Sequence, residues 1–272
     1  MIDTCLVKRA FITYKTSMKL VLISTVAAIG IGLAVMSFTT PSTASAQFDR
    51  AAKTQAVSEV VDSRDKYPSK VVELFTSQGC SSCPPADRFI ATLSDSPSTI
   101  ALSFSVTYWD YLGWKDMFGK KDFTTRQKDY ARYINVGNLY TPQIVLNGQH
   151  HSSRFTRKDI ELSRLPVTRP LIDVQLDEQT LKIVEDADIN LEDYDLKLVA
   201  YQPGMQTTPV NRGENRNRKL QNYNVVSNIY ELSKRNQYSM SIKSHDDGLA
   251  YVLFASDPTD ASVISVTHIG AN

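Results

Sequence analysis

The chain has 272 residues, of which 42% are hydrophobic and 22% charged, with a formal net charge of +1. So even a balance leaves no electrostatic footprint for nucleic acid or for an acidic partner. No internal repeat and no low-complexity tract is visible.

Lys8, Arg9, Lys15 and Lys19 precede an apolar stretch from Leu20 to Met36, and small and polar residues then lead to Ala44-Ser45-Ala46 before Gln47. A positive segment, an apolar core and an A-x-A site read as a secretory signal peptide over 1–46. The stretch borders on spanning length, so an uncleaved membrane anchor is the alternative, and Met18 is an alternative start. Either way the chain is expected to be exported, to the periplasm or outside the cell, and to meet a membrane only through this segment. Cleavage after Ala46 leaves about 226 residues, enough for one large domain or two small ones. Residues 47–68 are polar and broken in pattern, and read as a linker.

Regular structure is expected from Lys70 onward. Val71–Phe75 is an apolar strand, and it leads to Cys80-Ser81-Ser82-Cys83 ahead of a helix over Pro84–Leu93. A strand that delivers a C-x-x-C pair to a helix start has a chemical use. Unpaired N–H groups and the positive end of the dipole favour a thiolate there, and the second sulfur reaches back to the first. With Cys5 lost on cleavage, these are the only two cysteines of the mature chain. They close almost no loop, so as a staple they would stabilise little, and redox work is the better reading. One feature opposes the dipole. Cys83 precedes Pro84, and a residue before proline avoids the helical region, so the helix is expected to begin only after the prolines.

Ile100–Val106 is a second strand, with Leu102, Phe104 and Val106 on one face. Tyr108, Trp109, Asp110 and Trp114 follow as an aromatic-acidic cluster, open to two readings: a substrate groove or core packing. Asp122 is placed to N-cap a helix with Phe123, Tyr130 and Ile134 on its apolar side. Ile144–Leu146 is a third strand, ended by the turn signal Asn147-Gly148, and Arg157–Leu165 a last helix. This alternation predicts an α/β layer fold with at least one parallel pair. His150 and His151 read as plain surface residues or as partners of Cys80 and Cys83 in a copper(I) or zinc site.

After Pro166 and Pro170 short strand candidates dominate: 171–176, 180–184, 194–201, 238–242, 249–255 and 263–268, with 222–232 ambiguous between strand and helix. Turn residues, among them Pro203-Gly204, separate them, which predicts a β-rich, sandwich-like domain over 169–272. Arg212, Arg216, Arg218 and Lys219 form a basic run, read as a solvated loop or as an interface with the first domain.

A strand, a C-x-x-C at a helix start and Thr141-Pro142 just before a strand together resemble the thioredoxin fold. The segment Val72–Asp87 is similar to the signature of a thioredoxin-like family of secreted proteins, domain of unknown function 1223. So are Tyr108–Asp116, Tyr140–Gln143, Gly213–Arg216 and Asn224–Val226. The resemblance covers about 69–270, with a thioredoxin-like domain over 69–168, and implies a fold and a compartment but no established reaction. It implies that Pro142 is cis and faces the cysteines, with the Thr141 backbone pairing to a substrate strand. Cys80 becomes the more exposed, nucleophilic thiol and Cys83 the resolving one. Glu73, which interrupts an apolar strand, lies behind the cysteines as a buried acid able to take the resolving thiol's proton, or else reaches solvent at the strand end. Tyr108, Trp109 and Asp110 are the substrate-binding candidates.

The leading function is therefore a periplasmic or secreted thiol-disulfide oxidoreductase. It needs no cofactor and no metal, takes a protein or a small thiol or disulfide as substrate, and relies on a separate recycling partner. Two alternatives stand: a copper(I)-handling protein, and a binding module in which the cysteines rest as an inert disulfide.

Overall fold

The computed structural model describes residues 67–165, 172–177, 180–184, 188–241 and 248–270. The signal segment, linker residues 47–66, Leu171 and Ile242 lie outside them. The described residues all belong to one compact unit, Val57–Asn272, and none of their helices is long and apolar enough to cross a membrane.

Strand β1, Lys70–Thr76, is buried at every position. A near-continuous apolar run of this kind needs both faces covered. It pairs in parallel with β2, Thr99–Ser105, and antiparallel with β3, Gln143–Leu146. Its alternate residues face two helices. Val72 and Leu74 pack with Ala86, Ile90 and Leu93 of α1, Pro84–Leu93. Val71 and Phe75 pack with Phe123 and Tyr130 of α2, Lys121–Tyr133. Asn147 and Gly148 both take positive φ and turn β3 back into β4, His150–Ser152. A short helix α3, Arg157–Leu162, follows with Thr156 as cap.

The remaining strands are β5 (Val174–Asp177), β6 (Thr180–Ile183), β7 (Asp195–Val210), β8 (Arg218–Leu232), β9 (Ser239–Ser241), β10 (Ala250–Ser256) and β11 (Val263–Ile269). Four of them extend the first sheet. Its order is β11-β10-β7-β8-β2-β1-β3-β4, and the join is a parallel pairing of Ser103 with Val225. The others form a three-stranded sheet, β5-β6-β9, whose Leu181 and Ile183 pack with Leu196, Leu198, Tyr251 and Leu253 of β7 and β10. The fold is thus mixed α/β, with one large sheet and one small one.

Several expectations need correction. The helix after the cysteines begins at Pro84 itself, with Cys83 helical at φ −75° and ψ −36°. The first positions of a helix donate no intrahelical hydrogen bond, so two prolines are tolerated there. Lys120, not Asp122, caps α2. Pro203-Gly204 does not end a strand. It is an irregularity inside β7, where the register to β8 shifts between Gln202 and Met205. The ambiguous segment 222–232 is strand throughout. Together β7 and β8 make a long hairpin that joins the sheet at its base and projects beyond it as an arm.

Candidate functional site

Cys80 and Cys83 are joined by a disulfide, with Cα atoms 5.5 Å apart. The loop that carries them turns on itself. Cys80 N–H donates to the Ser77 carbonyl, and Cys83 N–H to the Cys80 carbonyl at 3.3 Å. Cys83 is the cap of α1, yet Pro84 and Pro85 remove two of the N–H groups that would face a thiolate. Ser82 compensates in part, because its Oγ lies 3.3 Å from Cys80 Sγ.

Thr141–Pro142 is cis and lies against the cysteines, with the Thr141 carbonyl oxygen 3.7 Å from Cys80 Sγ. Trp109 fixes this loop by donating its indole N–H to Thr141 Oγ1 at 2.8 Å. The same residue fixes the cysteine loop sterically: a Cβ on Gly79 would lie 2.9 Å from Trp109 Cβ. Trp114 donates to Gln78 Oε1 at 2.9 Å, and Asp116 accepts from Gln78 N–H at 2.8 Å. Asp110 in turn accepts from Asp116 N–H. Burial raises the Asp116 carboxyl above its ordinary range, against the backbone hydrogen bonds from Gln78 and Phe118. Tyr108 packs against the core beneath. The aromatic-acidic cluster therefore shapes both loops of the site.

The groove at the site opens elsewhere. A cavity of about 500 Å³ runs between Ser82, Pro85 and Phe89 on one side and Pro142, Arg154 and Phe155 on the other, and neither cysteine lines it. Tyr108, Trp109 and Asp110 are not among its lining residues.

Both cysteines are 0% exposed, which corrects the expectation of an accessible Cys80. The tip of the β7–β8 arm closes the loop from the side. Buried Asn215 donates through Nδ2 to the Gln78 and Cys80 carbonyls at 3.0 and 2.9 Å, and Arg218 donates to its Oδ1. The Glu214 carboxylate accepts from Ser81 N–H at 3.1 Å. Of the basic run, Arg218 thus belongs to this contact, while Arg212, Arg216 and Lys219 are exposed.

Of the two readings of Glu73 the structure shows the buried one, but not beside the cysteines. It lies on the α2 face of β1, where Arg126 grips it through Nε and a terminal nitrogen at 2.6 and 3.0 Å and Tyr130 donates at 2.5 Å. The family resemblance implied a place behind the cysteines, and an acid inside an apolar run does not itself reveal which face it takes. The acid on the cysteine side is Asp87 of α1, 3% exposed, which accepts from Asn222 Nδ2 of β8 at 3.1 Å. Burial raises its pKa to about 7, against the pull of Thr76 and Asn222. Its signal in the sequence was a charged residue one turn after Cys83 on the face shared with Ile90 and Leu93. His151 shares a hydrogen bond with Tyr140 through Nδ1, and His150 is exposed. Among the described residues no group of three His, Cys, Asp or Glu side chains is gathered to hold a metal ion.

The family model described as "Protein of unknown function (DUF1223)" matches residues 71–254. The chain belongs to this family. The DUF1223 span runs from β1 into β10, so the cysteine loop, the cis-proline loop and the arm all lie inside it. Among solved structures, an X-ray structure of a protein from Agrobacterium tumefaciens is similar at 24% identity with a TM-score of 0.56. That match covers 75% of this chain and 94% of that one, and the likeness is one of fold. HBP35 of Porphyromonas gingivalis matches at 14% identity and a TM-score of 0.47, over 76% of this chain and 74% of that one. A search of curated proteins gives no match.

Proposed function

We propose that this DUF1223 protein is an exported thiol-disulfide oxidoreductase built on a thioredoxin-like unit over residues 69–168, extended by the β-rich remainder. The strand order β2-β1-β3-β4, with β1 and β2 parallel and β3 antiparallel, supports the thioredoxin-like reading. One observation carries the function: the Cys80–Cys83 disulfide sits at the start of α1, against the cis Thr141–Pro142 loop, and Ser82, Thr141 and Pro142 of these two segments line an open groove. In the reducing direction, the Cys80 thiolate attacks a substrate disulfide, one substrate thiolate leaves, and Cys83 then attacks Cys80 Sγ to release the second and reform the pair. The substrate is a protein or small disulfide, and a separate thiol system recycles the pair. The N-terminal signal pattern supports export.

The complete burial of both sulfurs favours a second reading, in which the disulfide is inert and the fold serves as a binding module. Equilibration of the purified protein with glutathione buffers, followed by thiol trapping, separates the two. A reversible transition between about −120 and −270 mV is expected of a working oxidoreductase. A pair that stays oxidised below about −300 mV behaves as a structural disulfide and sinks the enzyme.

A further inference from the structure

We infer that Asp87 is the group that takes the proton of the Cys83 thiol when Cys83 resolves a mixed disulfide. This rests on the oxidoreductase reading above. Cys83 has helical backbone angles, and Asp87 N–H donates to its carbonyl at 3.1 Å, so the two stand one helical turn apart. Residues at this spacing are neighbours on one face, with Cβ atoms about 5–6 Å apart. Both side chains are on the buried face of α1, which continues through Ile90 and Leu93.

The carboxylate is suited to the step because it is only weakly compensated. The groups around it are Thr76 at the end of β1, Asn222 of β8, Asp116 of the loop after β2 and its helix neighbour Arg88. Asn222 supplies an amide hydrogen bond in place of a cation. Burial dominates, and the carboxyl titrates near neutrality, at about 7. A base poised near the working pH transfers protons most efficiently. Glu73 cannot serve, because its oxygens are held by Arg126 and Tyr130 on the opposite face of β1.

The step balances. With substrate sulfur bonded to Cys80, the Cys83 S–H gives its proton to the Asp87 carboxylate, and the Cys83 thiolate forms the Cys80–Cys83 bond. The Cys80–substrate bond breaks with its electron pair on the departing thiolate. The pair is oxidised, the substrate is reduced, and Asp87 returns its proton to solvent or to the leaving sulfur.

The test uses the reduced full-length protein and the aromatic disulfide dithiobis(nitrobenzoate), which releases one coloured thiolate when Cys80 attacks and a second when Cys83 resolves. In the native protein the second phase is expected to accelerate with pH through a midpoint near 7. Asp87→Asn should slow that phase ~100-fold at neutral pH, the lower end of general-base effects, and leave the first phase nearly unchanged. Asp87→Glu should recover part of the loss. Equal slowing of both phases marks a merely structural residue and overturns the inference, as does an unchanged second phase. If Asp87→Asn does not fold, the native profile decides alone, and a second phase without a break between about pH 6 and 8 is fatal to the proposal. A native protein that shows no first phase overturns the oxidoreductase reading itself, whereas a normal first phase with an indifferent Asp87 overturns only this step.

Discussion

The two faces of β1 handle a buried carboxylate in opposite ways. Toward α2, Glu73 is matched by a guanidinium and a phenol, and Arg126 also lies over the rings of Phe104, Tyr130 and Phe254. Burial on its own would lower the Arg126 pKa, and the Glu73 charge more than reverses that. Toward α1, Asp87 has an amide partner and a pKa near 7. The lesson is that burial alone does not make an acid chemically available. Full charge compensation locks it into the scaffold, and partial compensation leaves it titrating.

The largest effect should come from breaking the compensated side. Glu73→Gln leaves the Arg126 charge buried without its partner, and removal of one member of such a pair costs about 3–5 kcal/mol. Urea unfolding should show this as a lower midpoint, and a loss below about 1 kcal/mol would mean that Arg126 finds water instead.

The opposite face sharpens the comparison through pH. The folded Asp87 pKa, about 7, is above its ordinary 3.8, so between those values the folded state holds a proton that the unfolded chain releases. Stability should therefore fall as pH rises from about 4 to about 7 and level off above, by at most ~4 kcal/mol. Asp87→Asn should remove this slope and be the more stable protein at pH 8. Identical slopes for the two proteins would show that the carboxyl titrates normally.

A smaller effect is expected at the arm. Asn215→Ala removes the side-chain donor of the buried Gln78 carbonyl and leaves the Cys80 carbonyl with the Cys83 N–H alone, at about 1–3 kcal/mol. It should also let dithiothreitol reduce the Cys80–Cys83 disulfide faster. An unchanged reduction rate with unchanged stability would mean that the arm only rests on the loop.

Much of this was legible beforehand because it depends on local pattern. The apolar run of β1, the cysteine pair ahead of α1, the positive-φ turn at Asn147-Gly148 and the alternation of β2 each follow from neighbours within a few residues. The cis Thr141–Pro142 bond was an implication of family likeness and is present. The arm was not legible. Pro203-Gly204 carries a turn signal, yet here the pairing partner tolerates a register shift, and a two-stranded ladder continues from Met205 to Val210. Nor was the role of the Trp109 cluster, since a loop aromatic has no periodicity to say what it touches.

By itself the sequence determined three strands and three helices of the first half though not β4, the position of the two sulfurs before a helix and the presence of acids nearby. Those are properties of backbone propensity and of spacing along one segment. Only the tertiary structure decided which acid shares a face with Cys83, that Asn215 arrives from the β7–β8 turn and Asn222 from β8, each more than 130 residues away, and that the sulfurs lie buried. The physical reason is that strand residues alternate faces, so a one-residue shift exchanges the two environments. Contacts from a distant hairpin depend on how the whole sheet is assembled.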